Sequence, residues 1–172
     1  MNTTYPVFIG KSGRTPLGVL WVALTERGLA AVEWNADKAR FDSYLTRLKR
    51  PVLSSPEAAA PALRELTSYL RGERTTFTIP IDWSLLRPFQ RTVLQAVYAI
   101  PYGETRTYAE VAAQIGHARA YRAVGRANAT NPMPLVIPCH RVIGTDGKLH
   151  GYGGGEGLKT KEWLLKLEGT KP

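Results

Sequence analysis

The sequence predicts an α+β protein built as two small lobes: a short β-sheet with helices, then a mainly helical lobe containing a helix-turn-helix. The first ~80 residues mix period-2 runs typical of half-buried strands with one strongly signalled helix. Beyond residue 85 the pattern changes to short helical stretches punctuated by proline and glycine. The length, 172 residues at 44% hydrophobic composition, suffices for a real core and suits either one domain or two small ones. The change of pattern places the boundary between residues 85 and 86.

In the first lobe, Leu17–Thr25 and Leu29–Trp34 are apolar, β-rich runs joined by Glu26-Arg27-Gly28, which reads as a hairpin turn. Ser55-Pro56-Glu57 starts a helix, with a capping hydroxyl, a proline at the first helical position and an acid in the first turn. That helix is expected to run to Arg71, where Gly72 can end it. Thr75–Ile81 is a further extended segment leading to Trp83 and Arg87-Pro88. Nothing in residues 1–85 groups reactive side chains, so this lobe is expected to be an α/β scaffold.

In the second lobe, Phe89, Val93, Leu94, Val97 and Tyr98 share one helical face, and Pro101-Tyr102-Gly103 stops that helix. Thr107-Tyr108-Ala109-Glu110 is a capping box that starts a second helix, ending at Ile115-Gly116. After the turn Gly116–Ala118, a third helix spans Arg119–Ala129 and stops before Asn131-Pro132. Two short helices joined by a tight glycine turn form a helix-turn-helix pattern. The second of the pair carries Arg119, Arg122 and Arg126 among the small residues Ala120, Ala123, Gly125, Ala127 and Ala129. Such a helix can bring cations and backbone close to a nucleic-acid groove, although alanine-rich helices are often only tightly packed.

The net charge is +9 and the pI near 9.9. Basic residues outnumber acidic ones 11 to 8 before residue 86 and 12 to 6 after it, and Val111–Thr145 contains no acid at all. This favours a polyanionic partner, while a solvated basic face explains the charge equally well. No stretch approaches the ~18 apolar residues of a membrane span, and Met1–Gly10 lacks the layout of a secretion signal, so a soluble, cytoplasmic protein without membrane contact is expected. The lone cysteine, Cys139, can form neither an intramolecular disulfide nor a thiolate cluster. With His117, His140 and His150 scattered, no metal site is expected.

The chemically informative stretch is Asn131–Gly144. Its prolines, with Pro138 directly before Cys139, describe a stiff backbone that delivers one thiol to a fixed place. A cysteine beside His140 and Arg141, in a run without carboxylates, is expected to favour the thiolate, a soft and strong nucleophile. The alternative is a small buried hydrophobe, the commoner fate of a single cysteine after an apolar run. Adjacent side chains diverge, so His140 is expected to act on Cys139 through a water molecule and not by direct contact.

Ile137-Pro138-Cys139-His140-Arg141-Val142 resembles the active-site signature of the O6-alkylguanine-DNA alkyltransferases, single-turnover repair proteins. The resemblance extends in order through Pro88-Phe89-Gln90, Ile100–Thr105, Thr107-Tyr108, Arg122–Gly125, Asn131-Pro132, Gly151–Gly154 and Lys161–Leu165. It thus covers about residues 86–169, and residues 1–85 are compatible with the family's variable first lobe without identifying it.

The resemblance implies that residues 86–172 bind DNA and transfer the alkyl group. Arg122 would fill the gap left by a nucleotide flipped out of the duplex, on a helix whose Ala123, Gly125, Arg126 and Ala127, with Thr107 nearby, face the minor groove. A thiol on a folded domain cannot reach guanine O6 inside a base-paired stack, so flipping is a physical requirement. Tyr108 would hydrogen-bond the base and help protonate the leaving guanine; Tyr152, Gly153 and Gly154 would wall the pocket, and backbone around Cys139 and Val142 would read the guanine edge. Glu168 would orient His140, and Asn131 would tie the recognition helix to the active-site turn. Alkyl transfer from O6 of guanine, and from O4 of thymine, would leave a thioether on Cys139, once per molecule, with no cofactor and in a monomer.

The segment Gly153–Thr160 is longer than the vertebrate form of this pattern, which lengthens a pocket loop. Three rivals make different demands. A damage sensor lacks the cysteine, a transcription factor has no use for a reactive thiol, and a cysteine hydrolase needs better dyad geometry than adjacent Cys139-His140.

Overall fold

A computed structural model describes residues 5–34 and 38–170. The chain forms two compact units, one ending at Leu85 and the other beginning at Leu86.

The first unit holds a four-stranded sheet. Strands β1 (Val7–Thr15), β2 (Gly18–Thr25) and β3 (Gly28–Trp34) form an antiparallel meander, and β4 (Val52–Ser54) adds in parallel beside β1, giving the order β3-β2-β1-β4. Helices α1 (Lys38–Leu48) and α2 (Pro56–Leu70) pack on it. Phe41 and Leu45 of α1 meet Ala23, Ala30 and Ala31 in one core cluster. Gly10, opposite Val22, lies under α2, where a Cβ would come within 2.3 Å of the Ala59 methyl. With both faces covered, every residue of β3 is buried.

The expected hairpin is present, and Gly28 at its turn has φ +130° and lies so close to Pro80 that a Cβ would meet its carbonyl oxygen at 2.2 Å. The expected helix start is also present: Ser55 accepts a hydrogen bond from the Ala58 amide, Pro56 opens the helix and Arg71 caps its end. Thr75–Ile81 differs from expectation. It forms no strand, only an isolated bridge from Ile81 to Leu29, and the Leu29 amide donates to the Pro80 carbonyl. Pro80, lacking an N–H, cannot extend a ladder through this segment.

The second unit contains α3 (Pro88–Tyr98), α4 (Tyr108–Gln114), α5 (Tyr121–Ala129) and α6 (Leu158–Leu167). A two-residue parallel ladder joins β5 (Arg106–Thr107) to β6 (Val142–Ile143). This ladder fixes the start of α4 beside the segment that follows Cys139. The α3 core face is Val93, Leu94, Ala96 and Val97; Phe89 and Tyr98, expected on it, are exposed at 38% and 41%, at the two ends of the helix. Thr107 and Glu110 form the reciprocal capping box.

Between α4 and α5, Gly116 has φ +76°, and the His117 amide reaches back to the Ala112 carbonyl. The Ala120 amide bonds to His117 O, so the turn extends to Ala120, and α5 begins at Tyr121, later than expected. Arg119 therefore sits in the turn, leaving Arg122 and Arg126 as the helix's arginines. Among the described residues no helix is long and apolar enough to cross a membrane.

Candidate active site

The segment after α5 is rigid for identifiable reasons. The Ile137 amide donates to Met133 O, and Pro134 and Ile137 form a bridge that folds the chain back on itself. At the bend, fully buried Leu135 has φ +73°. That conformation costs an L-residue roughly 1–2 kcal/mol, held here by burial of the leucine side chain. A 3₁₀ turn, Cys139–Arg141, follows, and all three of its residues are buried.

Asn131 stands at the centre of this loop. Its Nδ2 donates to Ile137 O at 2.9 Å and to Cys139 Sγ at 3.2 Å, while its Oδ1 accepts from the Met133 amide at 3.0 Å. One side chain thus holds the loop closed and touches the thiol. Asn131 is joined to α5 through its own amide, which donates to Asn128 O.

His140 and Arg141 converge on Glu168, the residue that caps the end of α6. His140 Nε2 lies 2.9 Å from Glu168 Oε1. Arg141 grips the same carboxylate with Nε on Oε2 at 2.9 Å and Nη2 on Oε1 at 2.8 Å, and its Nη1 donates to Ile100 O at 2.6 Å. The Gly103 amide supplies a further donor to Oε2 at 3.2 Å. The arginine fork keeps the buried carboxylate ionised, so it accepts from the imidazole as an anion. Because that carboxylate only accepts, Nε2 of His140 carries the proton and Nδ1 is the basic nitrogen. Burial holds the His140 pKa below its usual value, against the opposing pull of Glu168, so the ring is neutral at pH 7 and able to take a proton. The expectation for Arg141 is corrected here: its guanidinium is committed to Glu168, and a carboxylate absent from the local sequence has entered from 27 residues away.

Above the thiol is a cavity of about 480 Å³, lined by Cys139, by Tyr108 of α4, by Tyr121, Gly125, Asn128 and Ala129 of α5, and by His150–Gly153 of the following loop. The Tyr108 hydroxyl donates to His150 O at 3.1 Å. Burial, with a contribution from Cys139, raises its pKa to about 12, so it keeps its proton as a donor. Lys161, fully buried on α6, donates from Nζ to Val142 O at 2.6 Å and His150 O at 3.3 Å, and lies 5.7 Å from the Tyr108 ring centroid. Burial lowers its pKa to about 8.

Of the residues singled out in the sequence, Cys139, Tyr108, Gly125, Tyr152 and Gly153 lie on the cavity wall, and His140, Glu168 and Asn131 lie in the network beneath it. Val142 and Gly154 are buried and outside the lining; Val142 contributes its carbonyl to Lys161. Arg122, Ala123 and Arg126 are exposed on α5, Ala127 is buried, and the Thr107 hydroxyl is engaged in capping. Lys161, Tyr121, Asn128 and His150 were not singled out as site residues. For Lys161 a signal existed: Lys161, Leu164, Leu165 and Glu168 form one buried helical stripe, and two charges in an apolar stripe mark a buried polar site.

A buried thiol at the wall of a cavity lined by the helix-turn-helix, followed in sequence by a histidine that a carboxylate orients, is an arrangement suited to a cysteine nucleophile. Comparison with known proteins agrees. The family described as 6-O-methylguanine DNA methyltransferase matches twice, by its DNA binding domain over residues 88–170 and by its ribonuclease-like domain over residues 4–83. A methylated-DNA–protein-cysteine methyltransferase of Methanosarcina barkeri is 42% identical over 90% of this chain and 92% of that one. One from Mycolicibacterium paratuberculosis is 54% identical over 66% and 67%. The crystal structure of Mycobacterium tuberculosis O6-methylguanine methyltransferase superposes with TM-score 0.78 at 39% identity, covering 96% of this chain and 95% of that one. That of M. tuberculosis OGT in complex with DNA gives 0.76 at 39%, covering 95% and 92%. The chain belongs to the 6-O-methylguanine DNA methyltransferase family, enzymes of DNA repair by alkyl transfer to a cysteine.

Proposed function

We propose that this protein binds duplex DNA through the minor groove, flips out an O6-alkylguanine, and moves the alkyl group to Cys139 in a single turnover, treating O4-alkylthymine in the same way. The observation that carries this reading is the chain's single thiol lying at the wall of a cavity roofed by α5, with Asn131 Nδ2 3.2 Å from the sulfur.

Arg122, exposed on α5, occupies the vacated place in the stack. The extruded base enters the cavity. His140 Nδ1 takes the thiol proton through a water molecule, and the Glu168 carboxylate, held in place by Arg141, stabilises the imidazolium that forms. The sulfur attacks the alkyl carbon, a C–S bond forms, the C–O6 bond breaks, and its electron pair leaves with guanine. Tyr108, which retains its proton to about pH 12, donates to the departing purine, and the proton released by the thiol restores it through solvent. The alkyl group ends on sulfur and the thiol's proton on guanine. A thioether is not hydrolysed under these conditions, and with one cysteine in the chain nothing accepts the group onward.

Intact-protein mass spectrometry after incubation with a duplex containing O6-methylguanine, followed by peptide mapping, tests the reading. It predicts one methyl per molecule, on Cys139, and complete loss in Cys139→Ala with DNA binding kept. Tight binding to the lesion without a mass gain would identify a sensor instead.

A further inference from the structure

Tyr121 is an exposed aromatic in an unusual place. It is the first residue of α5, 47% exposed, and part of the wall of the Cys139 cavity. The cavity stripe of α5 runs Tyr121, Gly125, Asn128, at spacings of four and three, so Tyr121 stands one turn outward from Gly125, at the mouth. At Gly125 an added Cβ would only touch the Tyr108 ring at 3.9 Å, so a low helix surface separates the two aromatic side chains. Arg122 lies beside the Tyr121 ring, its guanidinium carbon 5.8 Å from the centroid. Other large apolar side chains are as exposed as Tyr121, but Tyr121 lines the cavity, so its exposed ring offers a face to what enters.

Resting on the proposed function, we infer that Tyr121 is a positioning residue for the extruded base. Its ring stacks on the alkylated base as that base enters and closes the mouth behind it, while Tyr108 acts from the adjoining wall. Both aromatic faces accept any base, so Tyr121 adds affinity and orientation without reading sequence. Arg122, by contrast, acts on the duplex that the base has left. The two neighbours in sequence therefore divide the work: one holds the helix open, the other holds what came out of it.

The experiment measures single-turnover methylation of Cys139 in wild type, Tyr121→Ala, Tyr121→Phe and Arg122→Ala, on an O6-methylguanine duplex and on the free base O6-methylguanine. Tyr121→Ala is expected to raise the half-saturating concentration about tenfold on both substrates with a smaller change in the limiting rate. Tyr121→Phe, which keeps the stacking face, is expected to restore wild-type behaviour, and Arg122→Ala to lose efficiency on the duplex alone. A Tyr121→Ala protein equal to wild type overturns the inference. So does a loss confined to the duplex, which would make Tyr121 a support for Arg122, or a loss that Phe does not restore. If wild-type protein itself gains no alkyl group, the proposed function fails first, and that outcome is distinct from the others.

Discussion

Asp82 in the first unit and Glu168 in the second are both buried carboxylates, and the two are treated differently. Asp82 in the first unit is 1% exposed and accepts only from neutral groups: the Thr25 hydroxyl at 2.6 Å, the Ser84 hydroxyl and the Ser84 amide at 3.1 Å. Glu168 in the second unit is 6% exposed and accepts from an arginine fork, an imidazole and an amide. Asp82 pins the strand end at Thr25 to the turn at Ser84, which is a structural task. Glu168 touches a group that can change protonation beside a nucleophile. The contrast teaches that burial of a carboxylate is no sign of a site; what matters is whether a partner can exchange a proton within reach of a reacting atom.

Glu168→Gln breaks the comparison most forcefully. It keeps the shape but leaves the Arg141 cation buried without its counter-charge and the imidazolium of His140 without support. We expect a loss of roughly 3 kcal/mol in urea unfolding and at least a ~100-fold slower transfer in single-turnover assays. A normal transfer rate in this variant would place Glu168 in the same structural class as Asp82.

Lys161 sharpens the comparison from the cationic side. Its pKa falls from 10.5 unfolded to about 8 folded, so between those values the unfolded chain binds more protons, and stability rises as pH increases through the window. Wild type should therefore gain on the order of 3 kcal/mol relative to Lys161→Met between pH 7.5 and 10.5. A difference that stays flat with pH would show that the ammonium is not desolvated in solution.

His140 makes a smaller demand of the same sign, at lower pH. Its folded pKa is depressed, so its contribution is fully present above the unfolded value of 6.5 and is lost as pH falls below it. Stability should decline below pH 6.5 with a slope approaching about 1.4 kcal/mol per pH unit at most, before carboxylates titrate. NMR of the ring should show His140 still neutral at pH 6.5, and half-protonation there would contradict the burial argument.

Legibility in the sequence followed the range of the interactions. The Ser55 cap and the Thr107–Glu110 box are decided within four residues and were read to the residue. Strand β1 was not read, because its alternation is interrupted at the register shift between Lys11 and Arg14, and Gly10 is explained only by Ala59 on a distant helix. Helix α1 buries just Phe41 and Leu45, too few apolar positions to stand out. In the site, Cys139 and His140 announced themselves by adjacency. Glu168 was reached only through resemblance, since no local rule links it to a histidine 28 residues earlier. Arg141 was misread for the same reason: its charge was assigned to its sequence neighbour, while its partner came from α6.

Asp82→Asn carries the smallest expected effect and is the control on which the comparison rests. With Nδ2 on the Thr25 side, the Thr25 hydroxyl can rotate to accept from the new amide where it formerly donated, and the Ser84 hydroxyl and amide can still donate to Asn Oδ1. The Thr25 hydroxyl is also tied to the turn, accepting from the Arg27 amide at 3.2 Å, so its rotation is restricted and the exchange is imperfect. We expect a cost of about 1 kcal/mol in urea unfolding and an unchanged transfer rate per folded molecule. A transfer rate falling in step with Glu168→Gln would mean that the first unit takes part in the chemistry, and its scaffold role would have to be given up.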